Sequence, residues 1–311
     1  MSFKHVTELF DLLDSPDASG VVAANFLKKY GAGEVFVQTV SGEGGSTDMV
    51  RVVIPGKNGK AAGGTARTLG IIGRLGGLGA RPEQIGFVSD GDGALTVLAA
   101  AGKLLEMAAR GDQLDGDVIV ATHVDPDAPT SPHEPVPFMG SSIDMSINNE
   151  YEVQPEMDAV LSVDATKGNR VCNHTGFAIT PTIKEGWILR VSESLLDVVE
   201  RTSGRPPVIM PITSQDITPY GNDVYHVNSI VQPTTATTAP VVGVAITTET
   251  MTAGSATGAT NLAVVESTVR FVIEAAKDFG RGIATFYDEA EFESLISRYG
   301  SLNQLQGLGT T

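Results

Sequence analysis

From Ile85 onward the chain alternates apolar β-type runs with helix-type segments, and this alternation constrains the fold more than any other feature. Ile85 to Ser89 reads as a strand, Ala94 to Arg110 as a helix, Asp117 to Thr122 as a strand and, after a long Pro-rich loop, Ala159 to Val163 as a strand again. Strands separated by helix-length connections need crossovers rather than hairpins, and crossovers build parallel sheets covered by helices on both faces. The expected fold class is therefore α/β: a single domain over residues 1–311 with a mostly parallel mixed sheet flanked by helices.

The flanking segments extend this reading. Val6 to Tyr30 forms an N-terminal helical lead-in (residues 1–30), two short helices split at Ser15-Pro16-Asp17, where Ser and Asp are natural N-caps. Glu34 to Thr39 and Met49 to Ile54 read as strands joined by a turn at Gly42-Glu43-Gly44-Gly45. The Gly-rich run from Gly63 to Ala80 has helical spacing at Leu69, Ile72 and Leu75, which predicts a helix despite a cost of about 1 kcal/mol for each interior glycine relative to alanine. Phe177 to Ile183, Trp187 to Val191, Val208 to Thr213 and Val241 to Thr247 are expected strands. Ser194 to Thr202 and Asn261 to Phe279 are expected helices.

Composition narrows the function classes. A formal net charge of −16 repels phosphate backbones, so nucleic acid is not an expected partner. No apolar stretch approaches the ~20 residues a membrane span requires, and no basic segment leads into an apolar run, so no membrane partner is expected and the expected location is cytoplasmic. Cys172 is the only cysteine, which excludes an intramolecular disulfide and a cysteine-built zinc site. Neither a Gly-x-Ser-x-Gly elbow nor a Walker phosphate loop occurs.

In open parallel sheets ligands bind outside the carboxyl ends of the strands. Three successive expected strands end in Asp90-Gly91-Asp92-Gly93, in His123-Val124-Asp125-Pro126-Asp127 and in Asp164-Ala165-Thr166-Lys167. Aspartate with neutral imidazole is a ligand set for a divalent transition metal, zinc or manganese before others. Asp90, Asp92, His123, Asp125 and Asp164 are the candidate ligands, and a cap on the helix beginning near Ala94 is the alternative role for Asp90 or Asp92. The long loop 123–145 supplies His133, Glu134 and Asp127 as candidate proton-transfer groups. The polar block from Gln215 to His226 supplies Asn222, Asp223 and His226 for substrate, Asp223 and His226 sharing a face if that segment is helical. Glu249 stands alone in a Thr/Ala/Gly-rich stretch suited to ligand approach or to close contacts between subunits.

Two resemblances follow from these residues. The runs DGDGALTVL, THVDPDAPTSPHEPVPFMGSSIDM, VDATKGN and QDITPYGNDVYHVNSI resemble the family catalogued as domain of unknown function eleven seventy-seven, over nearly the whole chain. The order of elements is similar to that of the co-catalytic zinc aminopeptidases of the tetrahedral and glutamyl type, which implies a zinc-aminopeptidase-like (phosphorylase/hydrolase-like) fold. In that resemblance Asp90 to Gly93 matches a bridging Asp-x-x-Gly turn, His123-Val124-Asp125 stands where an acidic pair is expected, and Asp164 matches a strand-terminal ligand. Gly221-Asn222-Asp223 echoes a Gly-Thr-Asp segment. The upstream His-x-Asp, the Glu-Glu pair and the late histidine are missing; Glu249, Thr250 and Met251 occupy the last place. The resemblance implies a metal-dependent amidase or peptidase acting on a small amino-acid-derived or peptide substrate, assembled as a homo-oligomer. The alternative it leaves open is a non-catalytic ligand-binding or assembly protein that has lost the metal site, with metal-free acid–base chemistry as a third.

Overall fold

A computed structural model describes residues 2–31, 33–79, 86–132, 138–252, 254 and 259–309. In chain order its elements are α1 (Phe3–Leu13), α2 (Gly20–Tyr30), β1 (Glu34–Gly42), β2 (Gly45–Ile54), β3 (Leu69–Gly73), α3 (Asp92–Ala109), β4 (Val118–Val124), β5 (Thr130–Ser131), β6 (Phe138–Met139), α4 (Met145–Glu152), β7 (Ala159–Thr166), β8 (Gly176–Ile179), β9 (Ile183–Lys184), β10 (Trp187–Ile188), α5 (Glu193–Ser203), β11 (Val241–Thr247), α6 (Leu262–Gly280) and α7 (Glu289–Tyr299). Among the described residues, nine strands form one mixed sheet in the order β1-β2-β4-β3-β7-β11-β9-β10, with β8 pairing on β11. Its centre, β4-β3-β7-β11, is parallel, and the β1–β2 hairpin and the β8–β10 strands add antiparallel edges.

The central strands are apolar on both faces, as strands buried under crossover helices must be. Leu69 and Ile71 of β3, Val118 and Val120 of β4, and Leu161 and Val163 of β7 point into the main core with α1, α2, α3, α5 and α6. Ile72, Ile119 and Val160 point to the opposite face, where Met157 packs. There α4 lies against β2 and β4. The alternation decides where the polar residues at the strand ends go: Arg74, His123 and Asp164 continue the second face.

Three expected elements are corrected. Gly63 to Ala80 is not a helix but contains β3, because Leu-Gly-Ile-Ile-Gly is a fully buried run wedged between β4 and β7. Its glycines are packing devices: a Cβ at Gly70 would lie 2.3 Å from the Met157 sulfur, and one at Gly73 would lie 2.7 Å from Val97 of α3. Val88 to Ser89 belongs to an irregular approach and a short 3-10 turn before α3, and Ile85 falls outside the described residues. Val208 to Thr213 forms only an isolated bridge, Ile209 to Ile179. His123 lies within β4, which runs two residues beyond its expected end. Among the described residues no helix is long and apolar enough to cross a membrane.

Candidate functional site

The carboxyl ends of β3 and β7 and the amino end of α3 meet at one edge of the sheet. The meeting is close because Gly93 has no side chain: a Cβ there would lie 2.0 Å from the Arg74 carbonyl oxygen and 2.6 Å from that of Val163. Asp92 opens α3, yet neither it nor Asp90 caps the helix. Instead the Lys167 ammonium, one residue beyond β7, donates to Asp92 Oδ2 at 2.8 Å, and Thr260 Oγ1 donates to Oδ1 at 2.7 Å. Lys167 is 8% and Asp92 1% exposed, so both charges are taken out of water together. Desolvation raises the Asp92 pKa, and Lys167 opposes that rise.

Asp164 stands on β7 three residues before Lys167. Its Oδ1 accepts the Ala165 amide at 2.7 Å and its Oδ2 accepts Ser229 Oγ at 2.9 Å. The Tyr220 phenol reaches the same place, and burial with the negative charge of Asp164 pushes it up to about 12. Asp90 completes the group. Burial first, then repulsion from Asp164, pushes its carboxyl up to about 7, with Lys167 drawing it back. Among the described residues no donor hydrogen-bonds the Asp90 carboxylate, although its backbone is anchored by an Asp90 amide to Gly254 carbonyl bond of 3.0 Å.

Beneath this cluster is a second, closed network. Arg74, fully buried, places Nε 2.9 Å from Glu152 Oε2 of α4 and directs its remaining nitrogens at Asn149 and the Met145 sulfur. Gly76 N–H donates to His123 Nε2 at 3.0 Å, which makes that nitrogen the lone-pair side of the ring. The proton therefore sits on Nδ1, 3.0 Å from Glu152 Oε1. His123 is thus a neutral core histidine with both nitrogens engaged. Asp125 Oδ2 accepts the Ser142 amide at 3.2 Å, while its buried Oδ1 has no partner among the described residues, and desolvation raises its pKa.

The structure therefore brings together Asp90, Asp92 and Asp164 from the expected set and sends His123 and Asp125 to the adjoining α4 side. Asp127 and Glu249 are exposed. His133 and Glu134 lie outside the described residues. Asn222 to His226 is irregular rather than helical, so Asp223 and His226 share no helix face; Asp223 is exposed with φ of 59°, and Asn222 Oδ1 accepts the Val224 amide at 3.2 Å. His226 Nε2 bonds Thr218, and its ring lies 4.3 Å from that of Tyr220. That polar block does reach the strand-end cluster, but through Tyr220, with Ser229 just beyond it bonding Asp164. It is tied down by buried Asp216, whose Oδ1 accepts the amides of Val227 and Asn228 at 2.9 and 2.8 Å. Arg74, Lys167, Tyr220, Ser229 and Thr260 are the site residues that sequence reasoning missed. A lone arginine directly after an apolar run and a lysine three residues past Asp164 were the available signals.

Among the described residues the donor set does not fit a divalent metal. Among the described residues no three of His, Cys, Asp and Glu converge at ligand distance. Asp92 and Asp164 spend both oxygens on protein donors, His123 spends both nitrogens, and two buried cations, Arg74 and Lys167, already stand among the carboxylates. A thiol nucleophile does not fit either: Cys172 Sγ is 3.7 Å from His174 Nδ1, but burial pushes the thiol up. A cavity of about 730 Å³ exists at the opposite, amino-terminal end of the strands, lined by Arg67, Asp158, Lys184, Thr237 and Tyr287 among others.

Comparison with known structures places the fold. The Legionella pneumophila LapA aminopeptidase is 13% identical over 92% of this chain and 70% of its own, with a TM-score of 0.51. A mutant tomato leucine aminopeptidase is 12% identical over 87% of this chain and 61% of its own, with a TM-score of 0.51. An Acidobacteriales bacterium glutaminyl cyclase is 12% identical over 90% and 94%, with a TM-score of 0.50. At such identities the likeness is one of fold. No curated protein matches the chain in sequence. Residues 38–309 match the family described as "Protein of unknown function (DUF1177)", and the chain is a member of that family.

Proposed function

We propose that the chain binds a small amino-acid-derived molecule at the carboxyl ends of β3 and β7, as an aminopeptidase-like protein that no longer holds a catalytic metal. The observation that carries this reading is the Asp90 carboxylate, the one member of the Asp90, Asp92 and Asp164 group left without a protein donor among the described residues. A desolvated carboxylate that repels its neighbour is stabilised by any cation that reaches it, and the primary ammonium of an amino-acid derivative has the charge and the three N–H donors to do so. Lys167 has donors left beyond the one given to Asp92, and with the Tyr220 phenol it offers the complementary contacts that a ligand carboxylate or carbonyl needs.

Thermal unfolding with free amino acids, dipeptide amides and their N-acetylated counterparts tests the proposal. Compounds with a free amine are expected to raise Tm, N-acetylated ones to leave it unchanged, and Asp90→Asn to abolish the shift while remaining folded. The absence of a shift with every free amine overturns the binding reading. Hydrolysis of aminoacyl amides that requires zinc or manganese and stops with a chelator restores the metal-dependent amidase or peptidase in its place.

A further inference from the structure

We infer that the cavity at the amino-terminal ends of β3, β7 and β11 is a second binding site, which takes a small monocarboxylate on the Arg67 guanidinium. The cavity holds about 730 Å³, a size suited to a small molecule, and lies between Arg67 ahead of β3, Asp158 ahead of β7, Pro240 ahead of β11 and the segment 279–287. Its charged groups are not equivalent. Asp158 is already met by the protein, one oxygen accepting the Lys60 ammonium and the other the Thr68 amide, both at 2.7 Å. Lys184 is met as well, donating to the Thr238 carbonyl at 2.9 Å with the Glu185 carboxylate 3.2 Å away. Arg67 is half-buried, and among the described residues no carboxylate stands within ion-pair distance of it. Its guanidinium carbon lies 4.5 Å from the centre of the Phe279 ring, and its hydrogen bond to the protein is a long one, 3.5 Å from Nη2 to the Ala284 carbonyl. Stacking on the ring restrains the guanidinium while leaving most of its five N–H groups free.

Further donors line the same space. Among the described residues none of the Tyr287, Thr238 and Thr285 hydroxyls bonds a protein group. Burial raises the Tyr287 pKa, Glu289 and Glu185 add to the rise and Arg67 opposes it, so the phenol remains an O–H donor at neutral pH. An ionised carboxylate matches this set, because its two oxygens fit a guanidinium side by side and keep lone pairs for a hydroxyl. The charge count selects a single negative charge. Glu289 is exposed at the cavity rim and the chain carries −16 overall, so a polyphosphate meets repulsion that one carboxylate on one unpaired cation does not. Met157, Phe279 and Phe286 in the wall suit an apolar body behind that carboxylate.

Calorimetric titration of the full-length protein with hexanoate and benzoate, with hexanamide and benzamide as uncharged counterparts, and with inorganic phosphate tests this site. Both carboxylates should bind, and the amides and phosphate should bind roughly tenfold or more weaker. Arg67→Gln should weaken hexanoate by roughly tenfold or more and Tyr287→Phe by about threefold, while Arg67→Lys, which keeps the charge without the planar fork, falls between them. In the wild type, hexanoate should slow the modification of Arg67 by phenylglyoxal, read by peptide mass spectrometry, and leave that of exposed Arg205 unchanged. That measurement decides the matter if Arg67→Gln does not fold. No binding of either carboxylate overturns the inference, as do hexanoate binding that survives Arg67→Gln, amides or phosphate bound as tightly as the carboxylates, and an Arg67 that hexanoate does not protect. The cavity lies at the opposite end of the sheet from the Asp90, Asp92 and Asp164 cluster, so amine capture there and carboxylate capture here stand or fall separately.

Discussion

The two ends of the parallel sheet treat the same residue type in opposite ways. At the amino ends, Asp117 before β4 accepts the amides of Gly56 and Ala61 at 2.8 and 2.9 Å, and Asp158 before β7 accepts the Thr68 amide and the Lys60 ammonium, both at 2.7 Å. These carboxylates close loops, and every oxygen meets a donor that its negative charge suits. At the carboxyl ends, burial raises the pKa of Asp90, Asp92, Asp125 and Asp164 alike. Burial is common to Asp117 and Asp164, so depth is not what separates a tie from a site. What separates them is the donors that meet the group, an amide on each oxygen of Asp117 against one amide and one hydroxyl on Asp164 and, among the described residues, none on Asp90.

The sharpest way to break this contrast is at Arg74. Replacing it by Met leaves Glu152 buried without its guanidinium, and losing one partner of a buried pair typically costs about 3–5 kcal/mol. Urea unfolding that shows a loss below about 1 kcal/mol would mean that the carboxyl end does not depend on internal cations. Next comes Asp117→Ala at the other end, which strands two loop amides and should destabilise by about 2–4 kcal/mol. A neutral outcome there would erase the distinction between tie and site.

The smallest effect has the opposite sign. Asp90 has its pKa raised from 3.8 to about 7 in the folded protein, so the folded state holds its proton more tightly than the unfolded chain does. The stability this contributes is complete below pH 3.8 and is lost as pH rises toward 7, because the unfolded chain ionises first. Asp90→Asn should therefore match the wild type near pH 4 and exceed it at pH 8 by about 2 kcal/mol, allowing for partial solvent access at the rim. Denaturant midpoints at the two pH values measure this directly, and an Asn variant less stable than the wild type at pH 8 would contradict the unmet-carboxylate picture.

The parts of this molecule that are legible in its sequence are those in which one signal dominates. Val241 to Thr247 is a strand from end to end because a short run rich in Val and Ile has little alternative, and Asp164 stands out as a charge closing another largely apolar run. β3 misleads because Leu69, Ile72 and Leu75 have helical spacing, while the reason for strand is tertiary: only a flat, glycine-containing segment fits between β4 and β7 with Met157 behind it. His123 misleads because it lies inside the strand rather than just after it. A strand that runs two residues longer than expected turns the imidazole toward α4 and Glu152. Lys167 and Arg74 are hard to read in the sequence because long cations are ordinarily surface residues, and only the fold shows them drawn in over carboxylates.

With the first turn of α3 resting directly on the chain leaving β3 and β7, the two acids at its start cannot swing as loop side chains do; they are carried by the same rigid block as the strand tips. A ligand bound as proposed would meet a preset mount rather than an adaptive one, with little ordering entropy lost on capture.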